Sequence, residues 1–132
     1  MSAVRELGAL IESRLAATML IGSCHCGAVV IQISELPGHL VQCTCSICRQ
    51  YAAKWAFCNR SSARVTSPAE ATAAYLWNDR VIEFHHCRTC GCVTHYESTD
   101  KAPDSRLAVN ARMLDPAEIA GLRLRTFDGA ET

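Results

Sequence analysis

Apolar residues recur at helical spacing in the first part of the chain and occur in short runs after it. In residues 3–18 the recurring apolar positions are Val4, Leu7, Leu10, Ile11 and Leu15. This spacing predicts an amphipathic helix. Its acidic residues, Glu6 and Glu12, argue against a mitochondrial transit peptide. Met19 is an alternative start of the native protein, so residues 1–18 are either an N-terminal helix or an extension.

From Met19 onward, β-branched and aromatic residues form short runs bounded by turn residues, which is typical of strands. The runs predict strands over residues 29–33, 40–43, 54–58, 73–77, 81–86, 93–97, 107–110 and 122–127. The Leu-Arg-Leu-Arg alternation at 122–125 predicts a strand that is buried on one face. Asp115 followed by Pro116 predicts a single capped helical turn over 115–119. The pattern therefore predicts an all-β domain over residues 19–132.

Composition and charge narrow the class of protein. The chain has 132 residues, of which 49% are hydrophobic and 20% are charged, as expected for one globular domain. Lys and Arg total 13 and Asp and Glu total 13, so the formal net charge is zero. A neutral chain has no basic surface for nucleic acid or for an anionic membrane. No apolar run approaches the roughly 18 residues that a membrane span needs.

Nine cysteines are the outlying feature of the composition. An odd number, C-x-C pairs that are poorly placed to bridge each other and no recognisable signal peptide argue against a secreted disulfide scaffold. Thiolates that bind a metal in a reducing compartment explain the count better. We therefore expect a cytoplasmic protein.

Eight of the cysteines fall in three clusters. The clusters read Cys24-His-Cys26-Gly27, Cys43-Thr-Cys45-Ser-Ile-Cys48 and Cys87-Arg-Thr-Cys90-Gly-Cys92. Zinc takes about four ligands and is well suited to thiolates. Two thiolates from one tight turn can reach one ion, and a second pair from a distant part of the chain can complete the tetrahedron. Three clusters in so short a chain predict zinc, and favour two ions.

Glycines help to sort the clusters into sites. Cys26 and Cys90 each precede a glycine, which supplies the positive φ that a metal knuckle often needs. The first and third clusters therefore predict a closed structural site of four thiolates: Cys24, Cys26, Cys87 and Cys90. The middle cluster offers three thiolates, and an open fourth position is typical of catalytic zinc. Alternatively, Cys58 or Cys92 supplies a fourth ligand and that site is structural too.

Other residues near the clusters have two interpretations each. The histidines could be ligands or proton carriers, but packing is the more frequent role; they are His25, His85, His86 and His95. Cys58 and Cys92 are expected to be small buried residues. Aromatic residues could line a pocket near the second zinc, although core positions are more usual; they are Tyr51, Trp55, Phe57, Tyr75 and Trp77.

The three clusters, in this order, resemble the glutathione-dependent formaldehyde-activating enzyme family, which also includes centromere protein V. The matching stretches are Gly22-Ser-Cys-His-Cys-Gly-Ala-Val29, Cys43-Thr-Cys-Ser-Ile-Cys-Arg49 and Phe84-His-His-Cys-Arg-Thr-Cys-Gly91. Downstream, residues 108–115 and 127–129 look like the C-terminal strands of the family. The resemblance spans about residues 20 to 129.

The resemblance implies a β-tent fold of small antiparallel sheets and two zinc ions. It implies a structural zinc on Cys24, Cys26, Cys87 and Cys90, and a catalytic zinc on Cys43, Cys45 and Cys48. The implied activity is that of a carbon–sulfur lyase working in reverse, which condenses glutathione, or another thiol, with formaldehyde or a related aldehyde. The alternative is a zinc-stabilised binding module without catalysis. The predicted N-terminal helix is a candidate contact for a homodimer.

Overall fold

Ten strands and three short helices form the part of the chain that the structure, a computed structural model, describes: residues 19–76, 81–99 and 106–128. The strands are β1 (Leu20–Ser23), β2 (Val30–Ile33), β3 (His39–Cys43), β4 (Trp55–Cys58), β5 (Ala63–Thr66), β6 (Thr72–Leu76), β7 (Ile82–Cys87), β8 (Val93–Ser98), β9 (Leu107–Asn110) and β10 (Arg123–Phe127). The helices are α1 (Ser46–Tyr51), the 3₁₀ helix η1 (Ala111–Met113) and α2 (Pro116–Ile119). The helix predicted over 3–18 lies outside the described residues.

Seven strands form the larger sheet, in the order β10-β3-β4-β9-β8-β7-β6. Its neighbouring strands are antiparallel except β10 and β3, which run parallel. The register between β7 and β8 shifts between His85 and His86. This bulge leaves Thr94 of β8 without a partner in the register, and its side chain is fully buried.

The smaller sheet has the order β1-β2-β5 and is antiparallel throughout. Its inward-facing side chains, among them Ile31 and Ile33, are fully buried. Gly22 of β1 lies close against the segment after β9: a Cβ atom at this position would lie 2.3 Å from the carbonyl oxygen of Met113. Only glycine therefore lets β1 approach this segment.

Alternate residues of the middle strands of the larger sheet point to opposite sides, and two cores cover the two faces there. One face packs on the smaller sheet, and Leu40, Ala56 and Val109 lie in this core. The other face packs on α1, and its core contains Trp55 and Phe84 together with cysteines. The middle cysteine cluster therefore lies on one side of the sheet and the smaller sheet on the other.

The predicted all-β class with small sheets is confirmed, and each predicted strand matches an observed one within one or two residues. The helical turn is also confirmed: Asp115 caps α2, its carboxylate accepting from the N–H of Ala117, and Pro116 begins the helix. The short strands β1 and β5 and the helix α1 were not predicted. The predicted burial of one face of residues 122–125 holds for Leu122, which is half-buried and packs against the core between the sheets. It is wrong for Leu124, because all five residues of β10 are exposed at the edge of the sheet.

The described residues include no helix that is both long enough and apolar enough to span a membrane.

Candidate functional site

The first and third cysteine clusters meet in space as the sequence predicts. The sulfurs of Cys24, Cys26, Cys87 and Cys90 all lie within 4.8 Å of one another. Sγ of Cys26 is 3.7 Å from that of Cys24 and 3.6 Å from that of Cys87. A tetrahedral ion with metal–sulfur bonds of about 2.3 Å would place its sulfurs about 3.8 Å apart. The spacing fits zinc and is far longer than the roughly 2.05 Å of a disulfide.

Two tight turns shape this four-thiolate cluster. In the turn between β1 and β2, the N–H of Gly27 donates to the carbonyl of Cys24, and in the turn between β7 and β8 the N–H of Gly91 donates to the carbonyl of Cys87. Both glycines have positive φ, 84° and 82°, as the sequence predicts. The N–H of Val29 donates to Sγ of Cys24 at 3.3 Å and so fixes the position of this sulfur.

The thiols of this cluster ionise unequally. The backbone N–H of Cys90 is the main cause that lowers the pKa of Cys87. Burial raises the pKa of Cys90, but the N–H groups of Cys92 and Cys26 outweigh it and lower the value to about 5. The N–H of Ala28 acts to lower the pKa of Cys26, but burial and the adjacent thiols raise it to about 12. A divalent cation would stabilise all four thiolates together.

The middle cluster brings together Cys43, Cys45 and Cys48, whose sulfurs lie within 4.8 Å of one another. Cys43 ends β3, Cys45 precedes the first residue of α1, and Cys48 lies within that helix. The N–H of Cys45 donates to Sγ of Cys43 at 3.5 Å. The helix ends at Ala52, which adopts a left-handed conformation. The chain thus turns from strand to helix around the three sulfurs.

Burial distinguishes the three thiols. It raises the pKa of Cys43 and, more strongly, that of Cys48. It also acts to raise the pKa of Cys45, but hydrogen bonds to this sulfur, including one from the N–H of Cys48, produce a net lowering. Cys48 and Cys45 are 7% and 9% exposed, whereas Cys43 is half-buried. The cluster therefore has a buried side and an accessible side.

The buried side of the cluster is formed by aromatic rings. Trp55, 1% exposed, packs with Phe84 and Tyr96 in the same core as Cys45 and Cys48. The indole N–H of Trp55 acts to lower the pKa of Cys48, against the larger effect of burial. This nitrogen is buried without a hydrogen bond of ordinary distance and angle, so its interaction with the sulfur is a long or bent one.

The remaining aromatic residues and the edge strand complete the surroundings. Tyr51 packs edge-on against Phe84, whereas Tyr75 is 49% exposed. Phe57 is 40% exposed, and Trp77 lies outside the described residues.

The loop between Cys43 and Cys45 is fixed by β10: the N–H of Thr44 donates to the carbonyl of Phe127 at 3.0 Å, and its hydroxyl donates to Asp128 at 2.9 Å.

Among the residues described, no fourth Cys, His, Asp or Glu ligand joins the middle cluster. Cys58 lies in the core on the opposite face of the sheet, where burial raises the pKa of its thiol to about 11. Cys92 packs near the four-thiolate cluster. The alternative in which either cysteine supplies the fourth ligand is therefore wrong for this arrangement. His25, which is exposed, and His86 belong to neither cluster.

A third group of ligand atoms was not predicted as a unit. His85, His95 and Glu97 each place one such atom within 4.8 Å of the others. The signal in the sequence was a pair of mirrored triplets, Glu83-Phe-His85 and His95-Tyr-Glu97, on neighbouring strands.

Comparisons with known proteins indicate the family to which the chain belongs. Residues 19–125 match the family model described as glutathione-dependent formaldehyde-activating enzyme. The chain is also similar to the crystal structure of a Rhodobacter sphaeroides protein, a structural-genomics target. The two share 32% identity and a TM-score of 0.64 over 80% of this chain and 100% of the other. The chain therefore belongs to the glutathione-dependent formaldehyde-activating enzyme family.

Proposed function

We propose that this protein is a zinc-dependent carbon–sulfur lyase that joins glutathione, or a related thiol, to formaldehyde or a related aldehyde. The observation that carries the proposal is the middle cluster of three thiols, for which the described residues offer no fourth ligand. An ion held by three side chains keeps one position for substrate. Membership of the family supports the choice of thiol and aldehyde.

In this proposal the two clusters have different roles. Cys24, Cys26, Cys87 and Cys90 hold a structural zinc, since four thiolates close its coordination shell. Cys43, Cys45 and Cys48 hold the catalytic zinc. When bound there, zinc keeps a substrate thiol ionised near neutral pH. Three thiolates leave the site with a formal charge of −1, so delivery of the thiolate is favoured over strong polarisation of the aldehyde.

The reaction is an addition without oxidation or reduction. The sulfur of the thiolate forms a bond to the carbonyl carbon, the π electron pair of the carbonyl moves to oxygen, and this oxygen takes up the proton that the thiol released. Trp55 and Phe84 exclude water from the buried side of the cluster. The substrates therefore approach from the half-buried side of Cys43. Arg49 is exposed and follows Cys48 in the sequence, and we propose it as a partner for a carboxylate of glutathione.

The test is NMR exchange spectroscopy on an equilibrium mixture of glutathione, formaldehyde and their adduct. The zinc-loaded protein is compared with buffer, with Cys43→Ser and with Cys58→Ser. The second variant is a matched control, because it removes a half-buried thiol on the opposite face of the sheet. We expect the wild type and Cys58→Ser to accelerate exchange, and Cys43→Ser to lose both the second zinc and the acceleration.

Two outcomes would contradict the proposal. Exchange at the rate in buffer would remove this reaction and leave a zinc-stabilised binding module. Full acceleration by Cys43→Ser lacking its second zinc would show that the reaction occurs elsewhere.

We also propose that the protein works in a reducing compartment, the cytoplasm, because all nine cysteines are free thiols. A homodimer is proposed as its assembly, and the molar mass measured in solution by light scattering tests it. A monomer over the working concentration range would exclude the dimer.

A further inference from the structure

Two neighbouring strands of the larger sheet carry glutamate and histidine side chains in mirrored order on the face opposite the middle cysteine cluster. β7 contributes Glu83 and His85, and β8 contributes His95 and Glu97. The antiparallel register sets Glu83 directly opposite Glu97, and His85 directly opposite His95. The residues between them, Phe84 and Tyr96 among them, point into the core around the cysteines, so the four polar side chains share the other face.

Two carboxylates that face each other across a strand pair destabilise a sheet unless a cation lies between them. The guanidinium of Arg60 lies 3.9 Å from the carboxylate of Glu97 and offsets part of this charge. The carboxylate of Glu83 lies 3.3 Å from Nε2 of His85. The guanidinium of Arg60 offsets one of the two facing carboxylates, and the local charge favours a further cation.

The two histidines lie in close contact with each other and with Thr94. Their rings are stacked, with centroids 4.5 Å apart, and His95 is 5% exposed. The hydroxyl of Thr94 donates to the carbonyl of His85 and lies 2.8 Å from Nδ1 of His95. This hydroxyl has one hydrogen: when it is donated to the carbonyl of His85, at 3.4 Å, Nδ1 of His95 carries the proton and Nε2 keeps its lone pair. Burial, with smaller effects of His85 and Arg60, lowers the pKa of His95 to about 3.

His85 presents a second nitrogen without a partner. Its Nε2 is buried and forms no hydrogen bond of acceptable geometry, although Glu83 is near. A buried polar atom in this state is destabilising, and a bound ion would relieve that cost directly or by turning the ring.

We propose that His85, His95 and Glu97 form a third metal site, for a divalent first-row transition metal ion such as zinc. One ligand atom from each lies within 4.8 Å of the others, and two imidazoles with a carboxylate are a common donor set for such ions. Ligands about 2.1 Å from a tetrahedral ion lie about 3.4 Å apart, so binding draws the side chains together and turns the rings out of their stack. Glu83 is placed to orient His85. The site shares no residue with the thiolate clusters and does not depend on the proposed reaction.

The first test is zinc stoichiometry of the full chain at buffered free zinc, with both thiolate clusters filled. We expect three ions per chain in the wild type and two in His85→Asn and in Glu97→Gln. The matched controls are His39→Asn on β3 and Glu35→Gln at an exposed position, and both keep three. Glu83→Gln is expected to weaken the third ion about tenfold, as loss of an outer partner does.

A second measurement uses the wild type alone and remains informative if a variant fails to fold. The ¹⁵N resonances of the imidazole nitrogens are followed while zinc is added beyond two equivalents. The expected result is a change at one nitrogen of His85 and at Nε2 of His95, with His39 unchanged. Two ions per chain at saturation, a third ion that survives in both ligand variants, or unchanged resonances of His85 and His95 would each overturn the proposal.

Discussion

At the scale of single residues, the middle cysteine cluster depends on the aromatic side chains that pack against its buried sulfurs. Cys48 is the most buried of the three thiols and packs among aromatic rings. Among these rings, the indole N–H of Trp55 is the group that acts to lower the pKa of the Cys48 thiol. An ionised, metal-bound sulfur is a better acceptor than a thiol, so this interaction strengthens when an ion binds.

Trp55→Phe tests this contact, because it keeps an aromatic ring but removes the N–H donor. We expect the ion of the middle cluster to bind about tenfold more weakly, as loss of an outer hydrogen bond to a ligand does. Competition with a chelator measures the affinity. The four-thiolate cluster of the same molecule is the internal control and should keep its ion. Equal affinity of wild type and variant at the middle cluster would contradict the assigned role of Trp55.

At the scale of elements, the smaller sheet is fixed by close contact as well as by apolar packing. β1 lies against the segment that contains η1, and Gly22 has no room for a side chain. The core between the sheets brings Ile31 and Ile33 of β2 against Leu40 and Val109 of the larger sheet. β1 and β2 also lead into the turn that carries Cys24 and Cys26. Displacement of β1 would therefore disturb the four-thiolate cluster.

Gly22→Ala is expected to lower the free energy of unfolding of the zinc-loaded protein by about 3 kcal/mol, the upper part of the range for overpacking. The reason is that the new methyl group meets the backbone carbonyl of Met113 at 2.3 Å, and a backbone atom cannot turn aside as a side chain can. Urea denaturation measures the effect. Gly38→Ala is the matched control, because nothing lies within 4 Å of its added Cβ, and should change stability by less than about 0.5 kcal/mol. Equal costs at the two glycines would show that β1 shifts freely.

Sequence patterns predicted most elements, and the exceptions have physical causes. β1 and β5 are four residues each, and β5 alternates Ala and Val with Arg and Thr too briefly to separate from a loop. α1 has six residues, three of its positions fall within the cysteine motif, and no side chain caps it. The alternation at 122–125 indicated a strand correctly, but not its place at the open edge of the sheet, which depends on pairing with β3.

The candidate sites also divide into one part that the sequence predicts and one part that depends on how the strands pair. The cysteine spacing and the two glycines predicted which thiols meet, because each pair of thiols comes from one short turn and is visible in a local stretch of the sequence. To predict that His85, His95 and Glu97 meet, one needs the register between β7 and β8, including the bulge. No pattern within a single strand contains that information. Single histidines are ambiguous for this reason, whereas mirrored triplets on adjacent strands are a usable signal.

At the scale of the whole molecule, the four-thiolate cluster joins the two sheets. Cys24 and Cys26 belong to the turn of the smaller sheet, and Cys87 and Cys90 to the hairpin of the larger one. Cys26 and Cys87 are 61 positions apart. By the loop-closure relation used for covalent crosslinks, a permanent link across this distance would stabilise the fold by about 4 kcal/mol. A metal ion is thus expected to act as a clamp between the sheets.

Cys26→Ser tests the clamp, because Cys26 is the most exposed of the four ligands and its loss leaves the core intact. We expect a loss of about 4 kcal/mol in the free energy of unfolding, and faster amide hydrogen exchange in β1, β2 and β5 than in β8 and β9. Chelation should destabilise the wild type much more than the variant. A variant as stable as the wild type, with unchanged exchange, would show that apolar packing alone holds the sheets together.

The separation of the clamp residues along the chain has a consequence for synthesis. At about 5–20 residues per second, the ribosome completes Cys87 roughly 3–12 s after Cys26. Cys43, Cys45 and Cys48 appear within about a second of one another, so the local triad can take its ion while the N-terminal pair still waits. During this interval Cys24 and Cys26 are exposed to oxidants and to competing metals. The order of translation would therefore secure an ion in the four-thiolate cluster later than one in the middle cluster, although the joining of the two sheets is expected to depend on the four-thiolate cluster.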